Sequence, residues 1–232
     1  LVTRLRACPT ASPATASLAA GACAITGGLG GLGLRAAAML VQIGASGIAL
    51  SSRSGRVGGR AIDAATSATM RVAACDVGDA ADALALLARA ASTSVLHAAG
   101  VLHDKMLRSM ATGDFHAVFA PKALGAWHVQ TIVRSTPLEA LSLFSSVAST
   151  FGNVGQANYA GANAYLDALA RSWRCHGAFA SSLQIPAVSG AGMGAATFDM
   201  EQLNAMGAIS LDDFATCLSI ALTPARTATE RT

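Results

Sequence analysis

TGGLGGLG, residues 26–33, lies between a short apolar run, ACAIT (22–26), and LGLRAAAMLVQI (32–43), whose apolar residues recur at helical spacing. A strand, a glycine turn and a helix in that order are the parts of a dinucleotide-binding unit. The loop satisfies two glycine patterns. Gly28, Gly30 and Gly33 fit the dinucleotide spacing, and Thr26, Gly27, Gly31 and Gly33 fit a related Thr-Gly-xxx-Gly-x-Gly spacing, with Leu29 and Leu32 filling the loop between them. Both patterns have one physical reason. Residues without a Cβ permit a tight turn and let the backbone approach a pyrophosphate, whose charge rests at a helix N-terminus.

Working outward, further strand candidates are GIALSS (47–52), MRVAACDV (70–77), SVLHAAG (94–100, a strand and its exit turn), LEALSLFSS (138–146) and ASSLQI (180–185). Helical patterns lie at 79–91, 112–133 and 157–174, with Thr112 and Asp114 as cap and first-turn residues of the second. Apolar strands that alternate with helices predict an α/β fold: a Rossmann-like, doubly wound parallel sheet flanked by helices on both faces. One dinucleotide-binding domain is expected over 21–223, with a linker at 1–20 and a C-terminal linker at 224–232.

The 232 residues are 53% apolar and 12% charged, with a net charge of +3. That composition excludes disorder and, with no basic run, argues against nucleic acid. No apolar run approaches the about 18 residues needed to span a bilayer. The five cysteines (Cys8, Cys23, Cys75, Cys175, Cys217) are odd in number, lack metal-ligand spacing and read as buried thiols. The first residue is leucine, so the chain is expected to be part of a longer one. Its acid-free opening segment reads as an Ala/Pro/Ser linker in a cytoplasmic protein, with a plastid transit peptide as the alternative.

NAD-selective sites place an acid near the end of the second strand, where it holds the ribose 2′-hydroxyl. Here that end reads SSRSG, and no acid occurs before Asp63. Ser52, Arg53 and Ser54 instead offer a guanidinium and hydroxyls, which suit a 2′-phosphate, so the expected cofactor is NADPH. A solvated surface role is the competing reading of Arg53. Asp76 and Val77 end the third strand, where an adenine edge could rest, and a helix N-cap is the competing role for Asp76. Ala98, Ala99 and Gly100 end the fourth, small enough for a nicotinamide to lie close. His97 before them reads as a packed strand histidine.

Ser146 ends the fifth strand, thirteen residues before Tyr159. Ligands of a doubly wound sheet sit beyond the carboxyl ends of its strands, so the two hydroxyls can converge on a ketone. A free tyrosine has a pKa of about 10 and is a slow proton donor unless a cation stabilises the phenolate. The position four residues after Tyr159 holds Asn163, and the only lysines are Lys105 and Lys122. Lys122 lies on the helix expected to pack beside the one carrying Tyr159. Its ammonium can reach where a lysine at 163 would have pointed. An exposed helix position is the competing reading of Lys122.

TGGLGGLG, LSSRSG, ACDV, LHAAGVLHDKML, PKALGAWHV, FSSVASTFGNVGQANYAGANAYLDALA and GAGMGA, in this order, resemble the ketoreductase domains of modular polyketide and type I fatty acid synthases, within the short-chain dehydrogenase/reductase superfamily. The resemblance covers roughly residues 20–200. It implies catalytic roles for Lys122, Ser146, Tyr159 and Asn163, and a β-ketoacyl thioester carried on the phosphopantetheine arm of an acyl carrier protein. Other synthase domains are expected on the same chain. Leu102, Asp104, Phe151 and Met193 are the implied substrate-facing and stereocontrol residues. One class of the family carries Leu-Asp-Asp after strand four, where this chain has Leu102-His103-Asp104. The opposite class has a tryptophan eight residues before the tyrosine, where this chain has Phe151. The lean is to a D-configured hydroxyl.

Two departures stand out. The family usually shows Trp-Gly after strand six, where this chain has Ile185 and Pro186, with Pro186 still expected against the cofactor. Family members also carry a truncated structural half ahead of the catalytic one, and nothing of that length precedes residue 20. Alternative readings are a free-standing short-chain reductase of a small ketone and a catalytically silent structural domain of a megasynthase.

Overall fold

The structure, a computed structural model, describes residues 21–56, 69–134, 136, 138–197, 199–205 and 207–222. The expected linkers at 1–20 and 224–232, Cys8 and Asp63 lie outside the described residues. Strands β1 (Ala22–Thr26), β2 (Gly47–Ser52), β3 (Thr69–Ala74), β4 (Ser94–His97), β5 (Ala140–Ser146) and β6 (Ala180–Ile185) form a parallel sheet in the order β3-β2-β1-β4-β5-β6. The chain order reverses between β1 and β4, which makes the crevice above that pair the natural ligand position.

The glycine turn leads into α1 (Gly31–Gln42), and α2 (Ala80–Ala90) connects β3 to β4. After β4 come α3 (Thr112–Phe119), a π-turn (Ala120–Leu124) and α4 (Gly125–Val133). The short α5 (Ala148–Phe151) and the long α6 (Ala157–Cys175) follow β5. Beyond β6 lie α7 (Gly192–Thr197), α8 (Met200–Ala205) and α9 (Leu211–Leu222). The sheet is covered on both sides, as a parallel sheet requires. One core layer joins Ile25, Leu40, Ile48 and Leu96 to Phe144, Phe214 and Leu218. The other joins Val95, Leu141 and Leu143 to Leu86, Val129, Leu166 and Leu169. Among the described residues no helix is long and apolar enough to cross a membrane.

Several local expectations change. β3 stops at Ala74, not Val77, while β4 ends at His97 and Ala98 to Gly100 form its exit. The stretch 112–133 is helical but broken by the π-turn. Thr112 is not a cap: Ala111 precedes the helix, and its N–H donates to Asp114 Oδ2 at 2.7 Å. Nor does Asp76 cap α2. Asp79 does, its Oδ1 accepting from the N–H groups of Ala81 and Asp82 at 2.9 and 3.0 Å, because Asp79 stands next to the helix while Asp76 lies in the preceding loop. Cys23 and Cys75 are buried, but Cys175, at the end of α6, and Cys217, on α9, are exposed.

Candidate active site

The glycine turn is shaped by two close approaches. Gly27 has φ +67°, and a Cβ there would stand 2.6 Å from the Cα and N of Ala99. A Cβ on Gly33 would stand 2.6 Å from Gly28 Cα, so the first turn of α1 packs directly on the loop. Gly28 is buried, Gly30 is the exposed N-cap of α1, and Gly31 abuts Ala191, in the loop after β6, and Gly192, which opens α7. Leu29 and Leu32 pack against the core layer that contains Ile25.

At the end of β2, Ser52 is half-buried and Arg53 is exposed. The Ser54 hydroxyl lies 3.4 Å from that of Ser52 and accepts the Arg56 N–H. Asp76 accepts the Gly78 N–H at 3.0 Å, and the Val77 carbonyl accepts from His128 Nδ1 at 3.1 Å. His97, at the end of β4, is fully buried, as its packed-strand reading requires.

Beyond β5 and β6 a cavity of about 300 Å³ is lined by Leu32, Ala98, Leu102, Lys122, Ser146 and Tyr159, and by Pro186 and Met193. Lys122 is buried in the π-turn and donates to the Phe144 carbonyl at 2.8 Å. Its Nζ lies 5.3 Å from the centroid of the Tyr159 ring, so the amine does arrive from the neighbouring helix. Gly100 makes room for it: a Cβ there would stand 3.3 Å from Lys122 Nζ. Asn163 sits behind the cavity. Its Nδ2 donates to the Tyr159 carbonyl at 2.8 Å, and its buried Oδ1 has no partner among the described residues.

The electrostatics differ from the simple expectation of a lysine that lowers the phenol. Burial pushes the Tyr159 phenol above its ordinary range, and hydrogen bonding from Asn163 and Ser146 pulls it only partway back. Burial also brings the Lys122 amine down to about 7, with the Asp167 carboxylate acting in the opposite direction. The amine therefore loses its proton before the phenol does, and a neutral amine cannot stabilise a phenolate. Among the protein's own groups, the resting pair at mildly alkaline pH is a neutral lysine and a protonated tyrosine.

Asp104 does not line the cavity, but its carboxylate accepts from Gln156 Nε2 at 2.9 Å, and Gln156 does. Phe151 is 82% exposed and lies outside the lining, next to the lining residue Gly152. Sequence reasoning did not single out Gln156, nor Asp167, whose carboxylate accepts from Ser149 Oγ and Ser182 Oγ at 2.6 Å and from Gln184 Nε2 at 2.8 Å. Eight residues separate Tyr159 from Asp167 on α6, which places them near one face and was the available signal.

The parallel sheet with its reversal at β1/β4, the glycine turn and the Ser–Tyr–Lys–Asn set define a protein of the short-chain dehydrogenase/reductase type. The family model "KR domain" matches residues 21–190, and the chain belongs to that family. Over 218 residues it is 38% identical to the spectinabilin polyketide synthase system protein NorB of Streptomyces orinoci, covering 89% of this chain and 10% of that protein. It is 41% identical over 191 residues to the polyketide synthase GfsA of Streptomyces halstedii, covering 77% of this chain and 2% of the relative. A structure described as A-type ketoreductases from a modular polyketide synthase superposes with a TM-score of 0.82 at 33% identity, covering 91% of this chain and 48% of that one. A structure of an A1-type ketoreductase gives the same TM-score at 32% identity, over 93% of this chain and 48% of that one. The chain thus spans a tenth or less of these curated relatives and about half of these solved chains.

Proposed function

We propose that this domain reduces a β-ketoacyl thioester, presented on an acyl carrier protein, to the β-hydroxyacyl thioester with NADPH, within a polyketide or fatty acid synthase. The observation that carries the reading is the convergence of Ser146, Tyr159 and a buried Lys122 on one cavity beside the glycine turn.

The residues fit a nicotinamide dinucleotide. The cradle from Thr26 to Gly33 admits no Cβ at Gly27 or Gly33, which suits close approach of a pyrophosphate to backbone N–H groups. Ser52, Arg53 and Ser54 would meet a 2′-phosphate, Asp76 and Val77 the adenine edge, and Ala98, Ala99, Gly100 and Pro186 the nicotinamide half. Among the described residues Lys122 donates to the Phe144 carbonyl, and in its protonated form two further donors remain for ribose hydroxyls and the phenol. When bound, the reduced nicotinamide supplies a hydride. The chain's own groups do the rest. Ser146 Oγ and the Tyr159 hydroxyl donate to the ketone oxygen and polarise the carbonyl. Tyr159 then gives its proton to that oxygen, and Asn163 steadies the helix turn beneath it. Leu102 and Met193 flank the acyl chain, and the Asp104–Gln156 bond fixes the loop above it. The D-configured hydroxyl is the proposed product, on the Leu102/Asp104 pattern and the phenylalanine at 151.

The test is NADPH consumption with a β-ketoacyl thioester, and chiral analysis of the product. Tyr159→Phe should lower kcat by roughly 10²- to 10⁴-fold while NADPH still binds. Undiminished turnover in Tyr159→Phe, or reduction of small free ketones alone, defeats the assignment.

A further inference from the structure

We propose that His97 is a positioning residue that couples the glycine turn to the reactive lysine through one fixed imidazole tautomer. This rests on reading Lys122 as the amine that serves Tyr159.

His97 is the last residue of β4, in register with Thr26 at the end of β1, and is fully buried. Its Nε2 lies 2.9 Å from the Lys122 carbonyl oxygen, and its Nδ1 lies 2.7 Å from Thr26 Oγ1. A carbonyl only accepts, so Nε2 carries the hydrogen. In the neutral ring Nδ1 is then bare and accepts from the Thr26 hydroxyl. Burial, with Lys122 close by, brings the ring down to about 4, so it stays neutral at ordinary pH. The result is a directed chain: Thr26 hydroxyl to Nδ1, Nε2–H to the Lys122 carbonyl.

Both ends of this chain matter to the site. Thr26 opens the glycine turn, whose Gly27 sits against Ala99 just past His97. Lys122 belongs to the π-turn, a rare element that concentrates at functional sites. Gly125 reaches back with its N–H to Ala120 and Lys122 carbonyls, and a Cβ at Gly125 would stand 3.1 Å from His97 Cε1. The ring is therefore wedged against the π-turn as well as bonded to it. It passes no charge. It holds the Lys122 backbone at a set distance from the glycine turn, so that the amine and the phosphate cradle keep one spacing.

Ring nitrogen-15 NMR on the intact domain gives a direct readout. The expected signature is a neutral ring with Nε2–H and bare Nδ1, unchanged down to about pH 5. The other tautomer, or titration near the ordinary histidine value, overturns the proposal. Kinetics on the folded fraction supply the second arm. His97→Leu should lower kcat about tenfold or more with NADPH affinity held within about threefold. His97→Gln, which keeps one acceptor and one donor, should recover most of the loss. Thr26→Val breaks the same chain, so its loss and that of His97→Leu should not add. If His97→Leu does not fold, Thr26→Val carries the kinetic arm alone, with a kcat loss of about threefold or more expected. Unchanged kcat in the foldable variant, additive losses, or no recovery by His97→Gln overturns the coupling. Wild-type protein that neither binds NADPH nor reduces the thioester overturns the functional reading and the coupling with it. An active enzyme with the other tautomer overturns the coupling alone.

Discussion

Lys122 reaches Tyr159 from a different helix, with its amine nitrogen 5.3 Å from the ring centroid and, among the described residues, one acceptor, the Phe144 carbonyl. The two residues share a burial that works against both of their charged forms. This opposition sets the pH behaviour of the site.

Stability should rise with pH through the range set by the lysine. The folded-state pKa of Lys122 is about 7, below its unfolded value of 10.5. Between these values the unfolded chain holds a proton that the folded chain has lost, so folding is favoured as pH increases across that window. Below about 7 both states are protonated, and the cost of burying the charge is fully present. Lys122→Met removes this dependence. Denaturant melts of wild type and variant from pH 6 to 10 check it: the difference between them should shrink as pH rises.

NADPH binding should take up a proton near pH 8. Ribose hydroxyls that accept from the ammonium favour its protonated form over the neutral amine. Calorimetric titration in buffers of different ionisation enthalpy measures the uptake, which should vanish in Lys122→Met.

Asp167 is the carboxylate that acts on Lys122, raising its pKa against burial. Asp167→Asn should therefore move the alkaline limb of kcat/KM to lower pH. Ser149→Ala, which removes one hydrogen bond to Asp167 and keeps the charge, should leave the limb in place. Steady-state pH profiles of both variants separate charge from packing.

Arg53→Ala should weaken NADPH by about tenfold and NADH by much less, because only the former offers a 2′-phosphate for the guanidinium. Competitive binding of the two cofactors reads this.

Two stability changes follow from packing. Gly27→Ala forces a side chain into positive φ and against Ala99, and should cost about 2 kcal/mol or more. Phe214, fully buried and edge-on to Phe144 at 5.5 Å between ring centroids, should cost about 3–5 kcal/mol when cut to alanine. Chemical denaturation measures both.

Much of this architecture was legible because period and punctuation agree. GIALSS and ASSLQI lie between glycine or turn residues and became β2 and β6 with the expected bounds. The cap on α2 was not legible: Asp76 and Asp79 are equally good cap chemistry, and only the position of the first helical turn chooses Asp79. The π-turn was also missed. Pro121 has no N–H to return to the preceding turn, and the helix absorbs that loss by widening there, which a 3.6-residue period does not reveal. Of the site, Lys122, Ser146 and Tyr159 could be placed by strand ends and helix faces. The Phe144 carbonyl, the Asp104–Gln156 bond and the His97 contacts could not, because backbone acceptors and pairs far apart in sequence leave no local pattern.

The pairing of Thr26 with His97 joins strands 71 residues apart, and it seams the two halves of the sheet at the point where the chain reverses. Closing so long a loop is slow relative to local helix formation. The half built from β1 to β3 can assemble early, but the catalytic constellation exists only after that central seam zips. During synthesis β1 to β3 should thus pair first, while the glycine turn gains its Ala99 wall, and the site its chemistry, only when β4 docks.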